Sequence, residues 1–391
     1  MRESFLPYFR PTIEADDIEA VVASMRRDWL TTGPMVAQFE KEFAQASGVK
    51  HAIALNSCTS ALHLGLIALD VSPGDEVIMP SLTFVAGAHC VRQLGGKPVF
   101  CDIDPATLCV NPETLLAVIT KRTKVIIPMQ FGGRPVGIES IVDLAHTRGI
   151  AVLEDAAHAV GTLDNGQWPG RTSDAAAFSF YATKNITSAE GGMLVTNRDD
   201  LAERVRVLSL HGMNRDAWKR YQEGGTWRYD VVATGYKDNM PDMLAALGIS
   251  QLRKLDTLQR RREALAKRYL EGLHSVPGIR AASRFSDHPN RHSWCVFAIL
   301  VEEVEAGISR DALIEGLRER NIGTSVHFIP THLFKAYGAI TQTPLPNTER
   351  LWKQLISLPL YPAMSFSDVD DVLTAIRELV PSGSGVLSPI A

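Results

Sequence analysis

The chain has 391 residues, is 45% hydrophobic and 21% charged, and carries a formal net charge of −4. Disorder needs low hydrophobicity and high net charge, and nucleic-acid binding favours a basic excess, so 40 basic against 44 acidic residues argue against both. No run of about 18 apolar residues is present, and the opening MRESFLPYFRPTIEADD lacks an apolar leader core, so neither a membrane span nor secretion is expected.

At roughly 100–200 residues per domain, two or three domains are expected. The first two-thirds of the chain alternates short apolar runs with helical segments. Residues 51–57 (HAIALNS) read as a strand and 59–69 as a helix. Residues 76–80 form the next strand, with a helix near 85–94. Strands at 97–102 and 124–128 flank a helix near 112–119. A helix near 138–148 precedes the run 150–154, and strands at 175–180 and 192–196 close the series. Strands alternating with helices make βαβ units and a mostly parallel sheet buried on both faces. Ligands bind such sheets at the carboxyl ends of strands.

The pattern then changes. Residues 242–274 read as one long amphipathic helix, with Leu244, Leu247, Leu252, Leu255 and Leu258 at near-helical spacing. Arg260, Arg261 and Arg262 within it read as a solvated face. After Pro277 a second, α+β segment follows: a strand at 294–301, a helix at 310–320, a strand near 324–328 and a last helix at 368–379. The tail, residues 381–391, is rich in Ser, Gly and Pro and reads as mobile. The division expected is a large domain over 1–250 and a smaller C-terminal domain over 251–391.

The five cysteines are scattered, and no CxxC occurs, which speaks against disulfides and iron–sulfur clusters and fits a reducing cytoplasm. The eleven histidines include no HExxH, and no metal site is expected. GxGxxG, GxxxxGK[ST] and GxSxG are all absent.

Three features at predicted strand ends carry the chemistry. Asn56-Ser57-Cys58-Thr59-Ser60-Ala61 joins a strand to a helix, offering amides, hydroxyls and a positive helix end to an anion. Its plainer role is an N-cap by Ser57 or Thr59. Glu154-Asp155-Ala156-Ala157-His158 puts two carboxylates at the end of an apolar strand, where a buried one needs a cation or several donors. Ser179-Phe180-Tyr181-Ala182-Thr183-Lys184-Asn185 ends another strand, and its charge-poor surroundings favour a free, nucleophilic amine on Lys184. Pyridoxal 5′-phosphate needs such a set: a lysine for its aldehyde, a carboxylate for its ring nitrogen and a helix N-terminus for its phosphate.

With these motifs the chain resembles the DegT/DnrJ/StrS family of sugar-nucleotide aminotransferases. The likeness runs from about Pro7 to Leu379. It includes TTGP (31–34), NSCTSALHLGL (56–66), PGDEVIMPSLTFVA (73–86), EDAAHAVGT (154–162), FSFYATKNITSAEGGMLVT (178–196), GYKDNMPDMLAALGISQL (235–252) and SLPLYP (357–362). The resemblance implies an α/β, aspartate-aminotransferase-like fold (fold type I), with a large, mostly parallel sheet domain and a smaller α+β C-terminal domain. It implies that Lys184 holds the cofactor aldehyde, Asp155 pairs with the ring nitrogen and Phe84 stacks on the ring. His158 would sit beside the phenolic oxygen, and Cys58, Thr59 and Ser179 would hold the phosphate. Asn239 would reach the phosphate of a neighbouring subunit, making a homodimer with shared active sites. Trp29, Tyr181, Arg228, His327 and His332 fall near family substrate segments. The implied reaction moves an amino group from L-glutamate, leaving 2-oxoglutarate, to a nucleotide-linked 4-keto sugar, for amino-sugar or lipopolysaccharide biosynthesis. Within the family the wording is closest to members that aminate a UDP-4-keto-pentose to UDP-4-amino-4-deoxy-L-arabinose. Members acting on UDP- or dTDP-4-keto-6-deoxyhexoses share many of the same words. Some relatives instead dehydrate the sugar, with His in place of the lysine or with an iron–sulfur cluster. Lys184 and the scattered cysteines point to amino transfer. Nucleic acid and membrane are not among the partners expected.

Overall fold

The computed structural model describes residues 2–27, 29–214, 228–338 and 343–381. The predicted mobile tail beyond Pro381 lies outside the described residues. Seven strands form the main sheet: β1 (His51–Leu55), β2 (Glu76–Pro80), β3 (Lys97–Cys101), β4 (Thr123–Ile126), β5 (Ala151–Asp155), β6 (Ala175–Ser179) and β7 (Gly192–Thr196). Their order is β1-β7-β6-β5-β4-β2-β3. Only β7 runs against its neighbours; the other pairings are parallel.

Around this sheet lie α1 (Ala15–Met25), α2 (Pro34–Ser47), α3 (Cys58–Ala68), α4 (Ala86–Gln93), α5 (Pro112–Leu116), α6 (Ile138–His146), α7 (Asp199–Ser209) and α8 (Asp242–Arg253). The period of two along each strand assigns the layers. Ala175 and Ala177 of β6 and Leu194 of β7 join the core formed with α3, α4 and α7. Ala176, Phe178, Met193 and Val195 point the other way, into the core with α2 and α8. Ile78, Ile126 and Val152 meet α6 on that same second face. Both faces are therefore dry, and polar chemistry is left to the strand ends.

A second core follows α9 (Leu255–Leu273). Strands β8 (Ile279–Ala281), β9 (Phe297–Val301) and β10 (Leu355–Leu358) form an antiparallel sheet in the order β10-β9-β8. The remaining helices are α10 (Glu303–Ala306), α11 (Arg310–Glu319), α12 (Pro346–Leu351) and α13 (Phe366–Leu379). Phe297, Ile299 and Val301 pack on α9, α11 and α13. Ala298 and Leu300 face the loops of the main sheet, meeting Leu82, Leu108 and Phe131. At about 1.5–3 kcal/mol for a fully buried large apolar side chain, that contact holds the two layers firmly together. Leu6, from the N-terminal segment, also belongs to the second core and bridges to Ile322.

Three expectations need correction. The long helix over 242–274 is two helices, broken at Lys254. There the ammonium is drawn to Asp17 at 2.6 Å, Asp16 at 2.8 Å and Glu14 at 3.4 Å, pinning the junction to α1. The three arginines are not one solvated face: Arg260 and Arg261 are exposed, but Arg262 is buried at 3% exposure. The strand near 324–328 is a single bridge between Ser325 and Ser357. The chain leaves the ladder there because the His327 ring turns to the Ser357 hydroxyl and Phe328 stacks on His158. Helices α1, α2, α7, α10 and α12 and strands β8 and β10 are not among the elements expected from sequence.

Candidate active site

The junction of β1 and α3 is built first from its cap. Ser57 Oγ accepts the Ser60 amide at 3.1 Å, and the Ser60 hydroxyl donates to Asn56 Oδ1 at 2.6 Å. The cap uses the Ser60 amide, and the amides of Cys58 and Thr59 have no acceptor within a helix. Gly192 lets β7 press against this turn: a Cβ there would lie 2.3 Å from the Ser57 carbonyl carbon and 2.4 Å from the Cys58 nitrogen. Ser179, at the end of β6, is buried and its hydroxyl accepts the Tyr181 amide at 3.3 Å. Free amides, hydroxyls and a positive helix end suit a phosphate.

Asp155 ends β5 and is buried. Its Oδ1 accepts the Ala157 amide at 3.1 Å. Its Oδ2 has no hydrogen bond among the described residues. Burial pushes the carboxyl up, while the Ala157 amide and the Lys184 charge draw it back down. A dry carboxylate with one open oxygen fits a cationic N–H such as a protonated pyridine. Its neighbour Glu154 points to the other face and is fully engaged. It accepts from Gly170 N at 2.7 Å, Ser173 Oγ at 2.6 Å and Gln130 Nε2, and burial pushes it up to about 7.

Lys184 lies in the segment between β6 and β7. Its charge acts on Asp155, Cys58, His158 and His327, so these groups share one microenvironment. Burial, then Lys184 and His327, hold His158 well below the usual imidazole range. The Gly132 amide donates to its Nδ1 at 3.3 Å, so the neutral ring carries its proton on Nε2 and can donate from there. Burial and then Lys184 lower His327 to about 4. The Cys58 thiol is pushed well above its ordinary value by burial and by Asp155, which makes it inert.

An aromatic wall adjoins these groups. Phe328 stacks on His158 at 5.7 Å and 20°, and Phe84 lies 6.2 Å from Phe328. Phe84 itself is 59% exposed, an open ring face beside the cluster. Tyr181 is also exposed.

The other anticipated residues make contacts of their own. Trp29 Nε1 donates to the Thr32 carbonyl at 2.9 Å. Asn239 bridges to Leu55 and donates from Nδ2 to Thr32 Oγ1 at 2.5 Å. Arg228 is exposed. His332 is buried, with Nδ1 2.7 Å from Ser81 Oγ and Nε2 3.6 Å from Glu349. Sequence reading missed Phe328, and it missed Tyr8, whose ring lies 5.5 Å from His327. SLPLYP held Ser357 as a signal, but only the fold brings it to His327 at 2.8 Å. Among the described residues no group of three metal-ligating side chains occurs, and no helix is long and apolar enough to cross a membrane.

A mostly parallel sheet with a lysine, a buried carboxylate and a helix N-terminus near its strand ends suits a pyridoxal-phosphate enzyme of the aminotransferase fold. Comparison with known proteins agrees. Residues 11–377 match the DegT/DnrJ/EryC1/StrS aminotransferase family. The spore coat polysaccharide biosynthesis protein SpsC of Bacillus subtilis (strain 168) is 47% identical over 97% of this chain and 98% of its own. The aminotransferase TlmJ of Streptoalloteichus hindustanus superposes with a TM-score of 0.89 at 33% identity, covering 96% of this chain and 98% of that one. DesI, solved in the presence of its TDP-sugar product, gives 0.86 at 31% identity, covering 97% and 94%. The chain belongs to the DegT/DnrJ/EryC1/StrS aminotransferase family. It is a sugar aminotransferase, and pyridoxal 5′-phosphate is its cofactor.

Proposed function

We propose that the protein transfers an amino group from L-glutamate to the ketone of a nucleotide-linked 4-keto sugar. The observation that carries this reading is the buried Asp155 carboxylate with one open oxygen at the end of β5, opposite Ala177, whose carbonyl meets Cys58 Sγ of the α3 N-terminus at 3.5 Å. Lys184 would hold the cofactor aldehyde, and Asp155 Oδ2 would accept a hydrogen bond from the protonated ring nitrogen. His158 would donate from Nε2 to the phenolic oxygen, and Phe84 would cover one ring face. The Cys58 and Thr59 amides, the Thr59 hydroxyl and Ser179 would bind the phosphate, joined by Asn239 from a second copy of the chain. When bound, the cofactor supplies an aldehyde that carries the amino group and a ring that accepts electrons. The Lys184 amine would be the base that takes the donor's α-carbon proton, and in the second half-reaction it would return a proton to the sugar carbon. Asp155 would keep the ring nitrogen protonated. Tyr181, His327, Trp29 and Arg228 are the candidates for sugar or nucleotide contact.

Among sugars, the motif wording favours a UDP-4-keto-pentose, giving UDP-4-amino-4-deoxy-L-arabinose. The likeness to DesI, whose product is a TDP-sugar, keeps dTDP-linked 4-keto-6-deoxyhexoses as the second reading. We place the reaction in the cytoplasm because all five cysteines are free and four are buried. The test is to incubate purified protein and cofactor with L-glutamate and a panel of UDP- and dTDP-4-keto sugars. Amino-sugar nucleotide and 2-oxoglutarate should form in equal amounts, and Lys184→Ala should form neither. A dehydrated sugar, or turnover by Lys184→Ala, overturns the reading.

A further inference from the structure

Arg262 is the least expected charge in the molecule. It lies within α9, is 3% exposed, and no carboxylate among the described residues acts on it. Burial draws its guanidinium down to about 10. A buried cation without a counter-ion is costly, and an apolar side chain of that size would pack there more cheaply. Its contacts show what it does instead. Nη1 donates to the Asn185 carbonyl at 3.1 Å, and Nη2 reaches the Lys184 carbonyl at 3.5 Å. No backbone amide among the described residues donates to either carbonyl. Asn185 is pinned further, its Nδ2 donating to the Ser293 carbonyl at 2.7 Å. The rigid fork of arginine suits two neighbouring carbonyls, whereas an ammonium is a single point.

We propose that Arg262 is a positioning residue: its fork fixes the Lys184–Asn185 peptide and so aims the Lys184 amine at Asp155 and His158. This rests on the reading of Lys184 as the cofactor lysine. The phosphate site at α3 lies on another element, so the two can be separated by experiment.

The test uses full-length protein stripped of cofactor, as wild type, Arg262→Met and Arg262→Lys. Pyridoxal 5′-phosphate is added, and its capture on Lys184 is followed in time by borohydride quenching and peptide mass. The affinity of 4-deoxypyridoxine 5′-phosphate, which has no aldehyde, is measured in parallel by titration. The capture rate should fall at least tenfold in Arg262→Met and about threefold in Arg262→Lys, while analogue affinity stays within about threefold of wild type. Wild-type capture rates in both variants overturn the proposal, and so does a parallel loss of analogue affinity, which would mean a collapsed pocket. If Arg262→Met does not fold, Arg262→Lys decides alone: unchanged capture sinks the idea. Failure of wild-type protein to capture the cofactor at all would overturn the assignment of Lys184, not the clamp.

Discussion

Two adjacent acids in one strand show how environment divides labour among identical groups. Asp155 keeps an open oxygen; Glu154 has every contact filled. Asp155→Asn should leave the cofactor attached to Lys184 yet cut kcat about 10–1000-fold, because a charge pair of this kind shifts a pKa by about 1–3 units. Steady-state rates and the bound cofactor's absorbance check both halves. Glu154 behaves oppositely to a usual acid. Its folded value, about 7, lies above the ordinary 4.5. The folded state thus holds its proton more tightly, and the associated stability is full below about 4.5 and lost as pH rises through 7. Glu154→Gln should remove that loss, becoming relatively more stable than wild type between pH 5 and 8. The Gln130 Oε1, buried without a partner, can turn to receive the new amide. Parallel urea titrations at several pH values are the measurement, and an unchanged pH dependence would count against it.

At the scale of elements, the site is where β7 meets α3. Gly192→Ala puts a methyl group where the Ser57 and Cys58 backbone already stands. It should weaken cofactor affinity by about tenfold or more and lower Tm, since backbone cannot swing aside as a side chain can. Equilibrium dialysis of the cofactor, with thermal melts, reads this out. Much of this layer was legible in sequence. The runs at β2, β5, β6 and β7 are apolar on both faces, which is what a sheet between two helix layers requires. Asp155 and the Ser57 cap were legible because each stands at the end of an apolar run, and Lys184 because it lies in the short segment after one. Less was legible where tertiary contact overrides local pattern. Nothing in Arg260-Arg261-Arg262 says which of three like charges turns inward. The break at Lys254 depends on acids about 240 residues away in sequence. The single bridge at Ser325 looks apolar enough for a strand until His327 and Phe328 are seen to be recruited elsewhere.

For the whole molecule, the shared-site reading makes a quantitative demand. If Asn239 serves a neighbouring chain, Lys184→Ala and Asn239→Ala proteins, each inactive alone, should recover activity when unfolded, mixed and refolded. Random pairing gives about a quarter of wild-type sites, since one of two sites in each mixed dimer is intact. No recovery would place Asn239 on its own chain's cofactor or on none. A different consequence follows from the path of the chain. The main chain leaves the second core after Phe9, rejoins it within α9 between Leu258 and Leu265, and visits the main-sheet core once more at Tyr337 and Leu345 before returning at Ile356. The first two of these crossings are tied to each other, because the Lys254 ammonium at the start of α9 grips Asp17 of α1. The small layer is thus laced to the main sheet rather than hinged on it, since a swing about one edge would have to pull Tyr337 and Leu345 out of the main-sheet core.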